Sequence, residues 1–249
     1  MTGPRDLTDV TDLTGLSAES AVQLYDRYLD SLLAVRDEQR EEHERGLIAQ
    51  LDDIEAELLY LRIRRLRPAR VVEIGALHGW STMWILRALR DNGEGRLLSM
   101  DLLDAAPYTV PRELARRWTF RKGDARTLCR DWVSDVDYLL IDAEHTGRFA
   151  RWYLSEVMPG LRCGVEVAVH DVFHRRRPLP WSEGAVLLSW LERRRFPQFT
   201  ASRAAAPDVH ERISQFRRKA GLTRPLHRGH RNPMVFFRIG PGAPHGRSH

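Results

Sequence analysis

The sequence predicts an α/β fold: a doubly wound, mostly parallel seven-stranded sheet with helices on both faces and a helical extension in front of it. Three observations predict it. From Val71 to about Ile239, short apolar runs alternate with helix-length segments, the pattern of strands buried on both faces. The first run, VVEIG, passes through glycines into a helix containing Ser81, and the second, LLSMDL, closes on the acid Asp101. Ahead of them, residues 17–66 repeat apolar positions at helical spacing.

Taken in order, Ser17 is the expected N-cap of a helix carrying Val22, Tyr25, Leu29, Leu32 and Leu33. A charged stretch and Gly46 separate it from a second helix with Leu47, Leu51, Ile54, Leu58 and Leu61. These stripes need cover from the sheet or from a second subunit, so a homo-oligomer through the N-terminal helices is one expectation. The sheet domain then runs VVEIG, helix STMWILRALRDN, LLSMDL, helix around PRELARR, WTFRKGD, helix ARTLCRDWV, VDYLLID, helix Phe149 to Met158, and VEVAVHD. After a helix near Ala185 to Arg194 come PQFTASRA and NPMVFFRI, which fit an antiparallel pair at the sheet edge, joined through the helix-like DVHERISQFRRKA. The division expected is an extension over 1–66, a sheet domain over 67–240 and a disordered tail over 241–249.

A chain of 249 residues buries a single sizeable core. No apolar run approaches the roughly 20 residues that span a bilayer, which argues against a membrane protein. The N-terminus lacks a charged segment followed by an apolar one, and Cys129 and Cys163 are too few for a disulfide framework, so a cytoplasmic setting is expected. The net charge of +5 is unevenly spread: from Val172 onward there are 16 Arg or Lys against four Asp or Glu, and before it 23 against 30. A basic final third suits an anionic small molecule, an acidic carrier or a nucleic acid; the scarcity of interleaved aromatics disfavours the last.

The strand, glycines, helix and strand-end acid describe a βαβ unit that holds a nucleoside-like cofactor at the strand ends. A nicotinamide cofactor is disfavoured because the turn lacks G-x-G-x-x-G and places Leu77 and His78 between its glycines. The residues Glu73, Gly75, Gly79 and Ser81 in the pattern E-x-G-x-x-x-G-x-S, Asp101, GDA at 123–125, IDAEH at 141–145 and VHD at 169–171 resemble the class I S-adenosylmethionine-dependent methyltransferases. Among these they are most similar to the small-molecule O-methyltransferases of catechol and macrolide-sugar type. The resemblance spans roughly residues 56–239 and implies a Rossmann-like fold and S-adenosylmethionine as cofactor. It also implies transfer of a methyl group to a hydroxyl of a small molecule, such as a natural-product intermediate. Two other readings keep less of it: a methyltransferase acting on RNA or a carrier-bound substrate, and a non-catalytic assembly protein of the same fold.

Gly75 lets the backbone approach the cofactor, and the helix opening at Trp80 and Ser81 offers free N–H groups to its carboxylate. Glu73 is placed to attract its ammonium, and Asp101 to accept from the ribose hydroxyls, with Ala76, Gly79 and Leu102 alongside. The resemblance puts Asp124 and Ala125 beside the adenine, Asp124 near its exocyclic amine, and Asp142 at the reacting end. Two mechanisms are open there. In one, Asp142 and Asp171, with His170 or Glu144, hold a divalent ion such as Mg²⁺ or Mn²⁺ that acidifies the acceptor hydroxyl. His170 departs from the resembled family's oxygen donors and tilts the site toward Mn²⁺, Zn²⁺ or no metal. In the other, His145 is the general base, shared with or replaced by His170. Arg175, Arg176, Arg177 and Trp181 lie on an expected substrate-covering loop, and the Pro207 to Asn232 excursion is a second expected lid.

Overall fold

The computed structural model describes residues 15–128, 132–227 and 229–241. Seven strands form one sheet in the order β3-β2-β1-β4-β5-β7-β6. They are β1 (Arg70–Ile74), β2 (Arg96–Asp101), β3 (Trp118–Lys122), β4 (Tyr138–Ile141), β5 (Glu166–Val169), β6 (Gln198–Thr200) and β7 (Val235–Arg238). The first five pair in parallel, while β7 runs antiparallel to both β5 and β6. This is the predicted edge pair, and the strand order reverses between β1 and β4, where an open α/β sheet leaves a crevice at its carboxyl ends.

Alternation along each strand splits the core between the two faces. Val71, Tyr138, Leu140, Ala168 and Phe236 face α3 (Asp53–Leu66) and α4 (Trp80–Asn92). Val72, Leu139, Ile141, Val167 and Phe237 face α6 (Gly147–Glu156) and α7 (Glu183–Arg194). Local signals explain where the helices start. Ser17 accepts from the Ser20 N–H (3.1 Å) at the head of α1 (Ala18–Arg27), Thr146 caps α6 and Ser182 caps α7.

The N-terminal segment folds as three helices where two were expected, because the chain breaks at Tyr28 between α1 and α2 (Leu29–Glu44) as well as near Gly46. Its apolar stripe is taken up inside the chain, with Leu24, Tyr25, Leu32 and Val35 all buried. Charge is buried with it: Arg62 of α3 pairs with Glu166 of β5, and Arg36 and Arg217 both pair with Glu57.

Three other expectations change. The helix around PRELARR is absent as an α-helix; a single turn, α5 (Ala106–Thr109), precedes it, and only Ala115–Arg117 forms a 3₁₀ turn. Pro111 and the like-charged Arg116 and Arg117 suit such a short piece better. The ARTLCRDWV helix is replaced by a turn over 125–127 and a 3₁₀ turn at Val133–Asp135, with 129–131 outside the described residues. The Pro207 to Asn232 excursion is no free lid. Its helix, α8 (Pro207–Lys219), buries Ile213, and the N–H groups of Leu226, His227, Arg231 and Asn232 donate to Asp53 and Asp52. Of the expected tail, 242–249 lie outside the described residues.

Candidate active site

At the carboxyl ends of β1, β2 and β4 lies a cleft of about 480 Å³. Gly75, Asp101, Leu102, Asp124, Ala125 and Asp142 line it as expected, together with Glu144 and His145. Asp101 ends β2 while Asp142 and His145 follow β4, so these groups meet the cleft from either side of β1, and Met100, Leu102 and Phe149 add apolar wall. Gly75 sits at φ +94°, and a Cβ there would overlap the Asp142 carbonyl oxygen, so the backbones of β1 and β4 cross with no room for a side chain.

Asp101 is already at work in the protein. One of its oxygens accepts from the Ala76 and Leu77 N–H groups (2.8 and 2.7 Å) and the other from Leu103 (2.8 Å), which ties the glycine turn to the end of β2. Ala76 therefore acts through its N–H and is buried outside the cleft wall. Asp124 is held by Arg126 through paired contacts of 2.8 to 3.0 Å, which keep its carboxyl below the usual range, so an adenine amine would meet an acid already engaged.

Four expected contributors lie behind the wall. Glu73 is fully buried and accepts from Ser81 (2.6 Å), Thr82 (2.7 Å) and Ser99 (2.6 Å), joining β1, β2 and the start of α4. Its expected approach to a cofactor ammonium is replaced by this enclosed role, and Ser81 is spent on it. Gly79 supplies the left-handed turn into α4 (φ +85°), and Trp80 packs edge-on to His43 of α2. Burial, opposed by the three hydroxyls, pushes the Glu73 carboxyl up to about 7. A raised acid costs stability as pH climbs from its unfolded value of 4.5 through 7. Glu73→Gln should therefore gain on the wild type by something on the order of 3 kcal/mol between pH 5 and pH 8, read from urea midpoints at both. An unchanged difference across that range would contradict the buried, proton-holding environment.

At the reacting end, Asp142, His145 and His170 present donor atoms that all lie within 4.8 Å of one another. Asp142 Oδ1 is 3.0 Å from His170 Nδ1 and 3.4 Å from His145 Nε2. Asp171 approaches the same two rings at 3.3 and 3.5 Å, but its shortest contact is His174 Nε2 at 2.9 Å. His145 and Asp171 both adopt positive φ (54° and 58°), a conformation that costs about 1–3 kcal/mol in residues other than glycine and is held here by the surrounding contacts. Burial disfavours charge on His145, yet Asp142, Glu183 and Asp171 outweigh it and raise the ring to about 10. Burial is the largest single influence on His170 and disfavours its charge, yet Asp142 and Glu55 together outweigh it and raise the ring well above its usual value. Asp142 is lowered by the two imidazoles against its burial.

Residues 72–172 match the model of a family described as a methyltransferase domain. An O-methyltransferase from Bacillus cereus in complex with SAH superposes with a TM-score of 0.54 at 16% identity, over 90% of this chain and all of that one. The O-methyltransferase TomG from Streptomyces achromogenes, involved in tomaymycin synthesis and solved with SAM, gives 0.50 at 16% identity over 94% and 92%. A methyltransferase from Geobacter sulfurreducens gives 0.50 at 18% identity over 86% and 94%. The chain has a Rossmann-like methyltransferase fold, with residues 72–172 similar to a methyltransferase domain. No curated protein matches its sequence.

Within this fold the expected catalytic set is partly redrawn. Glu144 leaves it: its carboxylate accepts from Arg126 (2.8 Å) and Thr146 (3.0 Å) on the exposed side of the cleft. Among the described residues, the group whose atoms could together hold a metal ion is Asp142, His145 and His170, His145 sitting at a left-handed turn, while Asp171, also expected there, has its shortest contact with His174. As a general base it starts at a disadvantage, since its carboxylate neighbours keep it protonated at neutral pH. Residues the sequence reading missed complete the site. Glu183 approaches His145 Nδ1 at 3.3 Å, Glu55 approaches His170 Nε2 at 3.0 Å, and Gln50 lines both the cofactor cleft and a neighbouring cavity of about 400 Å³. That second cavity is walled by His170, Asp171, His174, His227 and Arg231. Among the described residues no helix is long and apolar enough to cross a membrane.

Proposed function

We propose that this chain transfers the methyl group of S-adenosylmethionine to a hydroxyl of a polar or anionic small molecule, with a divalent metal at Asp142, His145 and His170. The observation that carries the reading is that Asp101 and two of the donors, Asp142 and His145, line one cleft, with His170 against them on the wall of the neighbouring cavity. A cofactor stretched between them has its sugar at Asp101 and its methyl beside the trio. One carboxylate and two imidazoles suit Mn²⁺ or Zn²⁺ better than Mg²⁺, which prefers oxygen donors. The metal, when bound, would lower the pKa of the acceptor hydroxyl.

The protein's own share is alignment and charge. Methyl transfer from a sulfonium is an in-line displacement, so holding the hydroxyl opposite the methyl contributes several kcal/mol by itself. The second cavity opens on the His170 and Asp171 side of the trio, and His227 and Arg231 on its wall favour a polar or anionic acceptor. Natural-product intermediates are the acceptors to try first, given the similarity to TomG, and an assembly through the N-terminal helices would rest on exposed Leu33 and Ile48.

Asp101→Ala tests the cofactor reading. Losing a carboxylate that accepts charge-assisted bonds costs about 1.5–3 kcal/mol, so S-adenosylmethionine should bind roughly 10- to 100-fold more weakly by isothermal titration. Wild-type protein that gives no heat with the cofactor, or a variant that binds it equally well, would overturn this assignment.

A further inference from the structure

We propose that Glu55, which comes from the N-terminal helices and lies outside the family-matched segment, is a positioning residue that turns Nδ1 of His170 toward the metal position. The inference rests on the reading of Asp142, His145 and His170 as metal donors. The His170 ring is buried and lies between carboxylates on both edges, Asp142 Oδ1 (3.0 Å) and Asp171 Oδ1 (3.3 Å) on Nδ1 and Glu55 Oε1 (3.0 Å) on Nε2. Asp142 is a fellow donor, so the Nδ1 edge is the one that faces the ion. A neutral imidazole carries a single N–H, and the nitrogen that bears it cannot bind a metal. A carboxylate on Nε2 keeps the proton there and leaves the Nδ1 lone pair free. A bound ion would take the Nδ1 lone pair, any proton held there going to solvent while the one on Nε2 stays with Glu55.

Glu55 is firmly placed for this role. It is 1% exposed; Oε1 also accepts from the Asp52 N–H (2.8 Å), Oε2 accepts from Met234 N–H (3.1 Å), and its own N–H donates to Asn232 Oδ1 (3.2 Å). The start of its own helix and the distant 232–234 segment thus fix one carboxylate behind one metal donor. Partners of this kind orient the ring and raise its basicity, and losing one weakens metal binding about 10- to 100-fold.

The test is titration of Mn²⁺ and Zn²⁺ into the full chain and into Glu55→Gln, with long-range proton–nitrogen NMR of the zinc-loaded His170 ring. The expected result is a 10- to 100-fold loss of affinity in the variant and, in the wild type, a proton on Nε2 with none on Nδ1. Glu55→Asp, which keeps the charge but draws it away from the ring, should weaken binding in the same direction and serves if the glutamine variant does not fold. Equal affinity in folded variants, or a zinc-loaded wild-type ring protonated on Nδ1, overturns the role of Glu55 and leaves the metal site standing. A wild-type protein that binds neither ion removes the metal site itself.

Discussion

Asp142→Ala is expected to abolish specific binding of Mn²⁺ or Zn²⁺ and to lower methyl transfer by roughly a thousandfold, the scale of a lost metal contribution of several kcal/mol. The reason is geometric. Asp142 is the one anion in the trio and stands within 3.4 Å of both imidazoles, so its removal leaves only Asp171, at 3.3 and 3.5 Å, to offset the two rings on their facing sides. The same change should reshape the pH profile of stability. A lowered acid such as Asp142 contributes stability that is full above its unfolded value of 3.8 and lost as pH falls below it. A raised histidine such as His145 contributes stability that is full below 6.5 and lost as pH rises through about 10. The wild-type cluster therefore contributes most between about pH 4 and 6.5, and the alanine variant should show a flatter curve on both sides. Metal titration, turnover with labelled S-adenosylmethionine, and urea midpoints from pH 3 to 10 check the three parts. Undiminished metal affinity and turnover would remove Asp142 from the site.

Gly75→Ala is expected to destabilise the fold by about 3–5 kcal/mol and to lower the thermal midpoint by roughly 10 °C. Two costs combine at this position. The positive φ disfavours any side chain, and the new Cβ meets backbone that cannot swing aside, because the Asp142 amide is itself bonded to the Ile74 carbonyl (2.8 Å). The neighbouring Gly93, also at positive φ (+74°), has open space around its missing Cβ, so Gly93→Ala should cost only about 1 kcal/mol. Thermal melts of the two variants side by side separate the steric cost from the conformational one. Similar midpoints would mean that β1 and β4 have more freedom at the crossing than their geometry implies.

Much of the frame was legible because buried parallel strands leave uninterrupted apolar runs and their glycine turns leave spacing. Asp101, Gly75 and Asp142 followed from that pattern, since each sits at the end of a run. What was not legible depends on tertiary approach. Glu55 and Asp52 fall inside the segment read as the second helix, and nothing local indicates that α3 lies against β5 with Glu55 aimed at His170. Glu73 read as a cofactor contact because strand-end acids often are, but Ser81, Thr82 and Ser99 converge on it from two other elements and close it off. Glu144 and His145 are adjacent letters with opposite fates. A left-handed residue at 145 turns one side chain toward Asp142 and leaves the other paired with Arg126 on the cleft wall, a reversal that helix or strand periodicity does not encode.

The position of α3 bears on how such proteins are compared and re-engineered. A transplant made from the matched stretch, 72–172, would carry Asp142, His145 and His170 but leave behind the carboxylate under His170 and the glutamine between the two cavities. Two proteins with interchangeable central halves could then differ in ion preference solely through their first sixty residues, and a chimera joined at the Arg67 turn would exchange that preference along with the helix.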